Sequence, residues 1–161
     1  MPPKIWNFLR RACSNILPTR ENLHRCKVQV EPTCGLCSQC PESIEHRLWE
    51  CPLARNVWAL CLGKTGKCPN AAQDFFSLFK QMVVRLTQQE LEHWATVAWA
   101  IWNASNKFCF EKIQPHPEYI LREATGFPQE YQRLNATQVP GGWSFSNKTK
   151  VRVEWCCYVL D

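Results

Sequence analysis

The feature that most constrains this chain is a run of cysteines with one histidine: Cys34-Gly-Leu-Cys37-Ser-Gln-Cys40-Pro-Glu-Ser-Ile-Glu-His46-Arg-Leu-Trp-Glu-Cys51-Pro52. Two thiolates separated by two residues can bind one ion, because a tight turn brings both sulfurs to the same side. Gly35 is expected to relax the backbone of that turn. Cys34 and Cys37 therefore form one half of a predicted metal site.

The second half of the site is predicted at His46 and Cys51, which are five residues apart. On an ideal α-helix such residues point about 140° apart, so they could not share one ion. Pro52 disfavours helical backbone at the residue before it. We therefore expect a helix that begins near Ser43 to end near Glu50. Cys51 can then turn back toward His46.

Three thiolates and one imidazole predict a single structural Zn²⁺ with no coordination position open to a substrate. The predicted ligands are Cys34, Cys37, His46 and Cys51, with Cys40 as a spare candidate. The spacing of Cys34, Cys37 and Cys40 also begins like an iron–sulfur run, which is the remote alternative. That run requires its next cysteine where this chain has Ile44, so zinc is favoured.

The cysteine content, 11 in 161 residues, also bears on location. The first residues show no signal-peptide pattern, so we expect reduced thiols, a nuclear or cytoplasmic protein and no secretion. Three Asn-x-Ser/Thr sequons favour the rival, a secreted disulfide protein. No apolar run reaches the roughly 18 residues that span a bilayer, so no membrane partner is expected.

Positive charge is concentrated in the first 30 residues, which contain six basic side chains and one acidic side chain, Glu21. This segment accounts for the whole net charge of +5. Such a cluster attracts polyanions through counterion release. The sequence therefore predicts RNA or DNA binding through five of these side chains: Arg10, Arg11, Arg20, Arg25 and Lys27. The alternative is a solvated helix face that binds nothing.

Apolar residues at helical spacing predict a mainly α fold, with a small zinc-stabilised helical module, a helical hairpin and an irregular C-terminal tail. The predicted boundaries are a zinc-binding module at 1–62, a linker at 63–70, a helical connector at 71–137 and a poorly ordered tail at 138–161.

Local patterns predict the elements of the module. Residues 4–14 form a helix whose inner face carries Ile5, Phe8, Leu9 and Ala12. Thr19 caps a second helix over 20–26, with Leu23 facing inward. Alternation of Val28 and Val30 predicts an extended piece at 27–32. A third helix covers 53–62.

The connector is predicted as a hairpin of helices at 71–86 and from 87 to about 110. Thr87 and Glu90 form a capping box at the second helix. Its aromatic residues are predicted to pack in a core rather than to stack on bases: Trp94, Trp99, Trp102, Phe108 and Phe110. Pro115 and Pro117 end this helix, and Pro128 interrupts the next one.

Several segments of residues 1–62 occur in a characteristic order: Pro3-Lys-Ile-Trp-Asn-Phe-Leu-Arg-Arg-Ala-Cys13, Leu17-Pro-Thr-Arg-Glu-Asn-Leu23, Cys34-x2-Cys37, Glu42-Ser43, His46-x4-Cys51 and Trp58. Together they resemble the zinc-binding domain that follows the polymerase in plant non-LTR retrotransposon reverse transcriptases. The later run Ile101-Trp-Asn-Ala-Ser-Asn-Lys-Phe-Cys-Phe-Glu111 is similar to the helical connector that leads to a ribonuclease H domain in such polyproteins.

The resemblance implies a fragment of a retroelement reverse transcriptase that lacks both enzymes. We expect it to bind zinc and nucleic acid, to have no catalytic activity and to take no small-molecule substrate; a polymerase chain is a further expected partner. The competing hypothesis is a protein-interaction module that presents Trp6, Trp49 or Trp58 to a polymerase or another chain.

Overall fold

The computed structural model describes residues 1–63, 73–113 and 116–136, without the side chains of 127–136. Within these ranges the chain forms six α-helices and one π turn: α1 Pro3–Cys13, α2 Arg20–Arg25, the π turn His46–Glu50, α3 Pro52–Leu60, α4 Phe75–Arg85, α5 Gln88–Glu111 and α6 Pro117–Ala136. The only β-pairing in them is a bridge between Thr33 and Pro41. The predicted mainly α fold is confirmed.

The predicted linker, apart from Gly63, and the predicted tail lie outside the described residues. The predicted domain boundaries stay a prediction. None of the helices in the described ranges combines the length and apolar character needed to cross a bilayer.

Helix α1 buries the face that its apolar spacing predicts. Ile5, Phe8, Leu9 and Ala12 are all buried, whereas Arg10 and Arg11 are exposed in its last turn. Burying a side chain the size of Ile or Leu contributes about 1.5–3 kcal/mol relative to leaving it exposed. The apolar face of α1 is therefore a main source of its stability.

Helix α2 begins as predicted, because the Thr19 side chain accepts a hydrogen bond from the Asn22 amide. It ends differently from the prediction. Lys27 adopts a left-handed conformation, and the Val28 amide donates back to the Leu23 carbonyl. This is a Schellman motif, which reverses the chain direction after the helix. The predicted extended piece at 27–32 is therefore wrong: no strand forms there, and Val28 is exposed.

The α4–α5 hairpin is organised around Trp94, which is fully buried. Its indole contacts the rings of Phe75 and Phe79 on α4, with centroids 5.9 and 6.1 Å away. Trp58 of α3 contacts the same indole at 6.0 Å. Aromatic pairs at these separations add to the stabilisation that area burial alone provides. Trp94 thus joins three helices.

Helix α5 has 24 residues, and α1, α6 and the π turn pack against it. Helix α1 lies beside it and runs in the same direction, as three contacts indicate: the Met1 amine with Glu92 at 3.3 Å, Lys4 with the Trp99 ring at 4.5 Å and Phe8 with Trp102 at 6.3 Å. One core cluster therefore includes side chains from both the zinc module and the connector.

Two predictions about the end of the hairpin are wrong. Phe110 is 86% exposed and takes no part in the core, although Trp94 and Trp102 are buried as predicted. Pro128 does not interrupt a helix, since α6 continues from Pro117 to Ala136. A proline removes one backbone donor and destabilises the surrounding turn, but this cost does not always end a helix. Helix α6 packs on α5 with Ile120 and Ala124 buried.

The capping box at the start of α5 is confirmed, and it gives a direct test of local stability. The Glu90 amide donates to Thr87 Oγ1 at 3.3 Å, and the Thr87 amide donates to Glu90 Oε2 at 2.8 Å. Replacing Thr87 with Ala should lower the free energy of unfolding by about 1 kcal/mol, measured by denaturant titration. Gln89→Ala, in the same exposed turn, should change it by less than about 0.5 kcal/mol. Equal effects of the two variants would contradict the role of the cap.

Candidate metal centre

Cys34 and Cys37 lie on a turn fixed by backbone hydrogen bonds. The Ser38 amide donates to the Cys34 carbonyl at 2.9 Å, and the Cys34 amide donates to the Cys40 carbonyl at 2.8 Å. Ser38 adopts a left-handed conformation with φ 54°. These bonds place both sulfurs on one side of the turn, as the two-residue spacing predicts.

Gly35 has a different role from the one predicted. It is not among the residues with positive φ, so the turn does not require its conformational freedom. A Cβ atom at this position would lie 2.9 Å from Nη2 of Arg20. Gly35 therefore provides space for the Arg20 guanidinium against the turn.

His46 and Cys51 are brought together by the π turn. The Cys51 amide donates to the His46 carbonyl at 2.6 Å, so the hydrogen bond spans five residues instead of four. A turn wound in this way places residues five apart closer to the same face than an α-helix does. Cys51 then leaves helical backbone with ψ 139°, and Pro52 begins α3. The predicted effect of Pro52 is confirmed. The sequence patterns did not predict the π turn.

The ligand atoms of Cys34, Cys37, His46 and Cys51 all lie within 4.8 Å of one another. Cys37 Sγ lies 3.3 Å from His46 Nε2. A tetrahedral zinc with Zn–S bonds of about 2.3 Å separates its sulfurs by about 3.8 Å, so the cluster fits zinc after small movements. Three of the four residues are buried. The chain therefore carries a closed centre for one structural Zn²⁺.

Two sulfurs of the cluster share one hydrogen bond, which acts on them in opposite directions. A hydrogen bond with the Cys51 thiol lowers the pKa of Cys34, and the same bond raises the pKa of Cys51. Zinc binds thiolates rather than thiols. One sulfur of the cluster is thus already favoured in the form that zinc requires.

Cys40 lies outside this cluster, and its side chain is exposed. Its carbonyl, not its sulfur, contributes to the site by accepting from the Cys34 amide. An iron–sulfur run would need this third sulfur beside the first two. The clustered donors are instead three sulfurs and the nitrogen of His46, which is the zinc set.

Arg47, which the sequence patterns did not single out, lies buried beside the metal centre and pairs with Glu42 of the Glu42-Ser43 segment. Their ion pair measures 2.7 Å between Nη1 and Oε1, and the two side chains are 3% and 1% exposed. A buried charge without a partner is strongly destabilising, so the folded structure must keep Arg47 and Glu42 in contact. Their spacing alone could not reveal it, since most charges five residues apart are solvated.

Four of the five predicted phosphate contacts are exposed: Arg10, Arg11, Arg25 and Lys27. None of these four forms an ion pair with another residue in the described ranges. Arg20 differs, because it is partly buried and its Nη1 donates to the Thr33 carbonyl at 3.4 Å. Arg20 therefore supports the turn that holds Cys34.

The end of α1 lies next to the start of α2, where the buried Asn22 connects them. Its Nδ2 donates to the carbonyls of Asn15 at 3.0 Å and Leu17 at 2.9 Å, and lies 3.1 Å from Asn15 Oδ1. Asn15 ends α1 in a second Schellman motif, with φ 52°. The exposed basic residues therefore belong to two helices that one set of hydrogen bonds holds together.

The tryptophans of the protein-interaction hypothesis are placed unequally. Trp58 is 3% exposed and its Nε1 donates to the Leu48 carbonyl, so it is part of the core and cannot contact a partner. Trp49 is half-buried against it, with ring centroids 4.8 Å apart. Trp6 is half-buried on α1.

Residues 1–58 match the family model described as zinc-binding in reverse transcriptase. The match covers about a third of the chain and includes all four clustered ligands. No curated protein and no solved structure matches the chain. The matched family model and the geometry therefore agree that this segment binds zinc, and residues 1–58 are similar to the zinc-binding domain found in reverse transcriptases.

The ligand assignment predicts how zinc content responds to substitution. The purified chain should hold one zinc per molecule, and Cys37→Ser or His46→Ala should lose most of it, as measured by elemental analysis after dialysis. Cys40→Ser is the matched control and should retain the metal. Zinc loss in Cys40→Ser equal to that in Cys37→Ser would refute the assignment.

Thiol reactivity gives an independent test of the same assignment. Burial, with a contribution from Asp74, raises the pKa of Cys13 to about 12, and burial raises the pKa of Cys61 to about 11. The thiolate is the reactive form, so both should be alkylated slowly at pH 8. Among the cysteines of the described residues, the exposed Cys26 and Cys40 should react first. Mass spectrometry should find the ligand cysteines modified only after a chelator is added; protection of Cys40 by zinc would contradict this order.

Proposed function

We propose that the chain is a non-catalytic, nucleic-acid-binding fragment of a retroelement reverse transcriptase, of the plant non-LTR type that residues 1–62 resemble. The zinc-binding segment is established by the family match and by the cluster. The further steps are the proposal: binding of RNA or DNA, absence of enzymatic activity and a nuclear or cytoplasmic location. The run 101–111, within α5, is proposed to correspond to the connector that precedes a ribonuclease H domain.

The observation that carries nucleic-acid binding is the arrangement of the basic helix ends. Arg10 and Arg11 of α1 and Arg25 and Lys27 near the end of α2 project from elements that Asn22 joins. Exposed cations without an acidic partner are available to phosphates, and each phosphate contact releases a bound counterion. This surface supports backbone recognition with little discrimination between base sequences.

Zinc has a structural role in this proposal. Four protein ligands complete a tetrahedral coordination shell and leave no position for an activated water or a substrate. The ion would hold the Cys34 turn against the π turn, and Arg20 connects that turn to the start of α2. The metal thereby orients the basic surface without contacting nucleic acid.

Binding should be weak and strongly salt-dependent, with a dissociation constant of about 10⁻⁶ to 10⁻⁴ M at physiological salt. Fluorescence anisotropy of the zinc-loaded chain with a labelled oligonucleotide, repeated at several salt concentrations, measures both quantities. Affinity that does not change with salt would argue against a phosphate-binding role.

The location of the surface is tested by charge-matched double variants. Arg10→Gln with Arg11→Gln removes two proposed phosphate contacts and should reduce the slope of log K against log salt by about 1.4–1.8. Arg55→Gln with Arg85→Gln removes the same charge from exposed positions on α3 and α4 and should leave the slope unchanged. Equal losses in both variants would mean that net charge, and not this surface, governs binding.

A further inference from the structure

A buried polar contact joins the residue next to a zinc ligand to the long helix of the connector. Arg47 follows the ligand His46 in the π turn, and its guanidinium faces α5. Nη2 donates to Asn106 Oδ1 at 2.6 Å, and the guanidinium carbon lies 4.2 Å from the centroid of the Trp102 ring. Nη1 donates to Glu42 Oε1 at 2.7 Å.

Glu42 is held in turn by three hydrogen bonds to two other parts of the zinc module. Its Oε1 accepts from the Arg20 amide at 3.2 Å, where α2 begins. Its own amide donates to the Pro32 carbonyl at 2.7 Å, and its carbonyl accepts from the Glu21 amide at 3.3 Å. The carboxylate that neutralises Arg47 is therefore fixed by the start of α2, and the Glu42 backbone is fixed by α2 and by the loop that leads to Cys34.

A second contact from the same region reaches the start of α4. Glu45 precedes the ligand His46, and its Oε1 accepts from the Phe75 amide at 2.7 Å. The residues on both sides of His46 thus bond to the connector, and they reach two different helices. Any movement of the π turn must disturb both contacts.

The Arg47 charge is buried, so losing its partners would cost free energy. A buried ion is tolerated only where its partners stay in place, and Arg47 Nε already has no hydrogen-bond partner within the described residues. If zinc is lost and the π turn rewinds, Arg47 leaves Asn106 and Trp102. If α5 moves away, the Arg47–Glu42 pair is exposed to solvent, and the π turn loses its contacts with Asn106 and Trp102. Coupling of this kind is reciprocal.

We propose that Arg47 and Glu42 couple the zinc centre to α5, so that zinc binding and the packing of α5 on the zinc module strengthen each other. Arg47 acts here as a positioning residue for His46 and not as a ligand. The polar partners of metal ligands commonly change metal affinity by about 10- to 100-fold when removed. Asn106, one contact further away, should have an effect near the lower end of this range.

The decisive variant is Asn106→Ala, which changes a residue 59 positions from Arg47 and outside the predicted zinc module. Its matched control is Asn103→Ala, at a half-buried asparagine one turn earlier on α5. Zinc affinity of the full chain is measured by competition with a chelator of known affinity. Asn106→Ala should weaken zinc binding by about tenfold, whereas Asn103→Ala should stay within twofold of the unmodified chain.

Arg47→Met tests the same coupling from the other side, with Arg55→Met at an exposed position as its control. Arg47→Met should weaken zinc binding at least as much as Asn106→Ala, and Arg55→Met should leave it unchanged. If Arg47→Met does not fold, the asparagine pair decides the question, because it removes no buried charge.

Hydrogen exchange of the unmodified full chain provides a readout that does not depend on substitutions. Removal of zinc should accelerate exchange of the α5 backbone amides at residues 98–106. Exchange there that is the same with and without zinc would overturn the proposal. So would an Asn106→Ala variant that binds zinc within threefold of the unmodified chain, or an Asn103→Ala variant that weakens binding equally.

Discussion

One metal ion held by three sulfurs and an imidazole is the constraint on which the N-terminal structure depends. Between α2 and the π turn the chain has a single β-bridge and only two helical residues, Ile44 and Glu45, so its own secondary structure provides little stability. Structural zinc in small modules contributes about 10–16 kcal/mol, as much as the whole net stability of many domains. The order of this segment therefore depends on the metal more than on its apolar contacts.

The zinc module is joined to the rest of the chain by polar contacts as well as by a shared core. Trp58 and Trp94 connect the two parts through ring packing. Arg47 and Glu45 connect them through hydrogen bonds that begin on either side of a zinc ligand. Apolar packing tolerates small shifts, but a buried charge with fixed partners requires one arrangement. The contacts of Arg47 and Glu45 thus specify how the π turn sits against α4 and α5.

Local patterns in the sequence predicted local structure well. The buried face of α1, the Thr19 cap and the capping box of α5 each depend on residues fewer than eight positions apart, and each is confirmed. The errors arose where a longer-range contact decided the outcome or where a local signal was weak. Val28 alternates with polar residues as a strand would, but no strand of the described residues pairs with it and a Schellman motif turns the chain there. Phe110 has the spacing of a core residue, yet it is exposed among the described elements.

The sequence by itself determined the four zinc ligands, because two short spacings and one proline restrict where their donor atoms can go. It also placed the positive charge in the first 30 residues. Only the tertiary structure decided that His46 and Cys51 meet through a π turn, that Arg20 supports the cysteine turn and that Trp58 is buried. Only the fold could bring Arg47 to Asn106, since that contact joins residues 59 positions apart and no periodic pattern in the sequence indicates it.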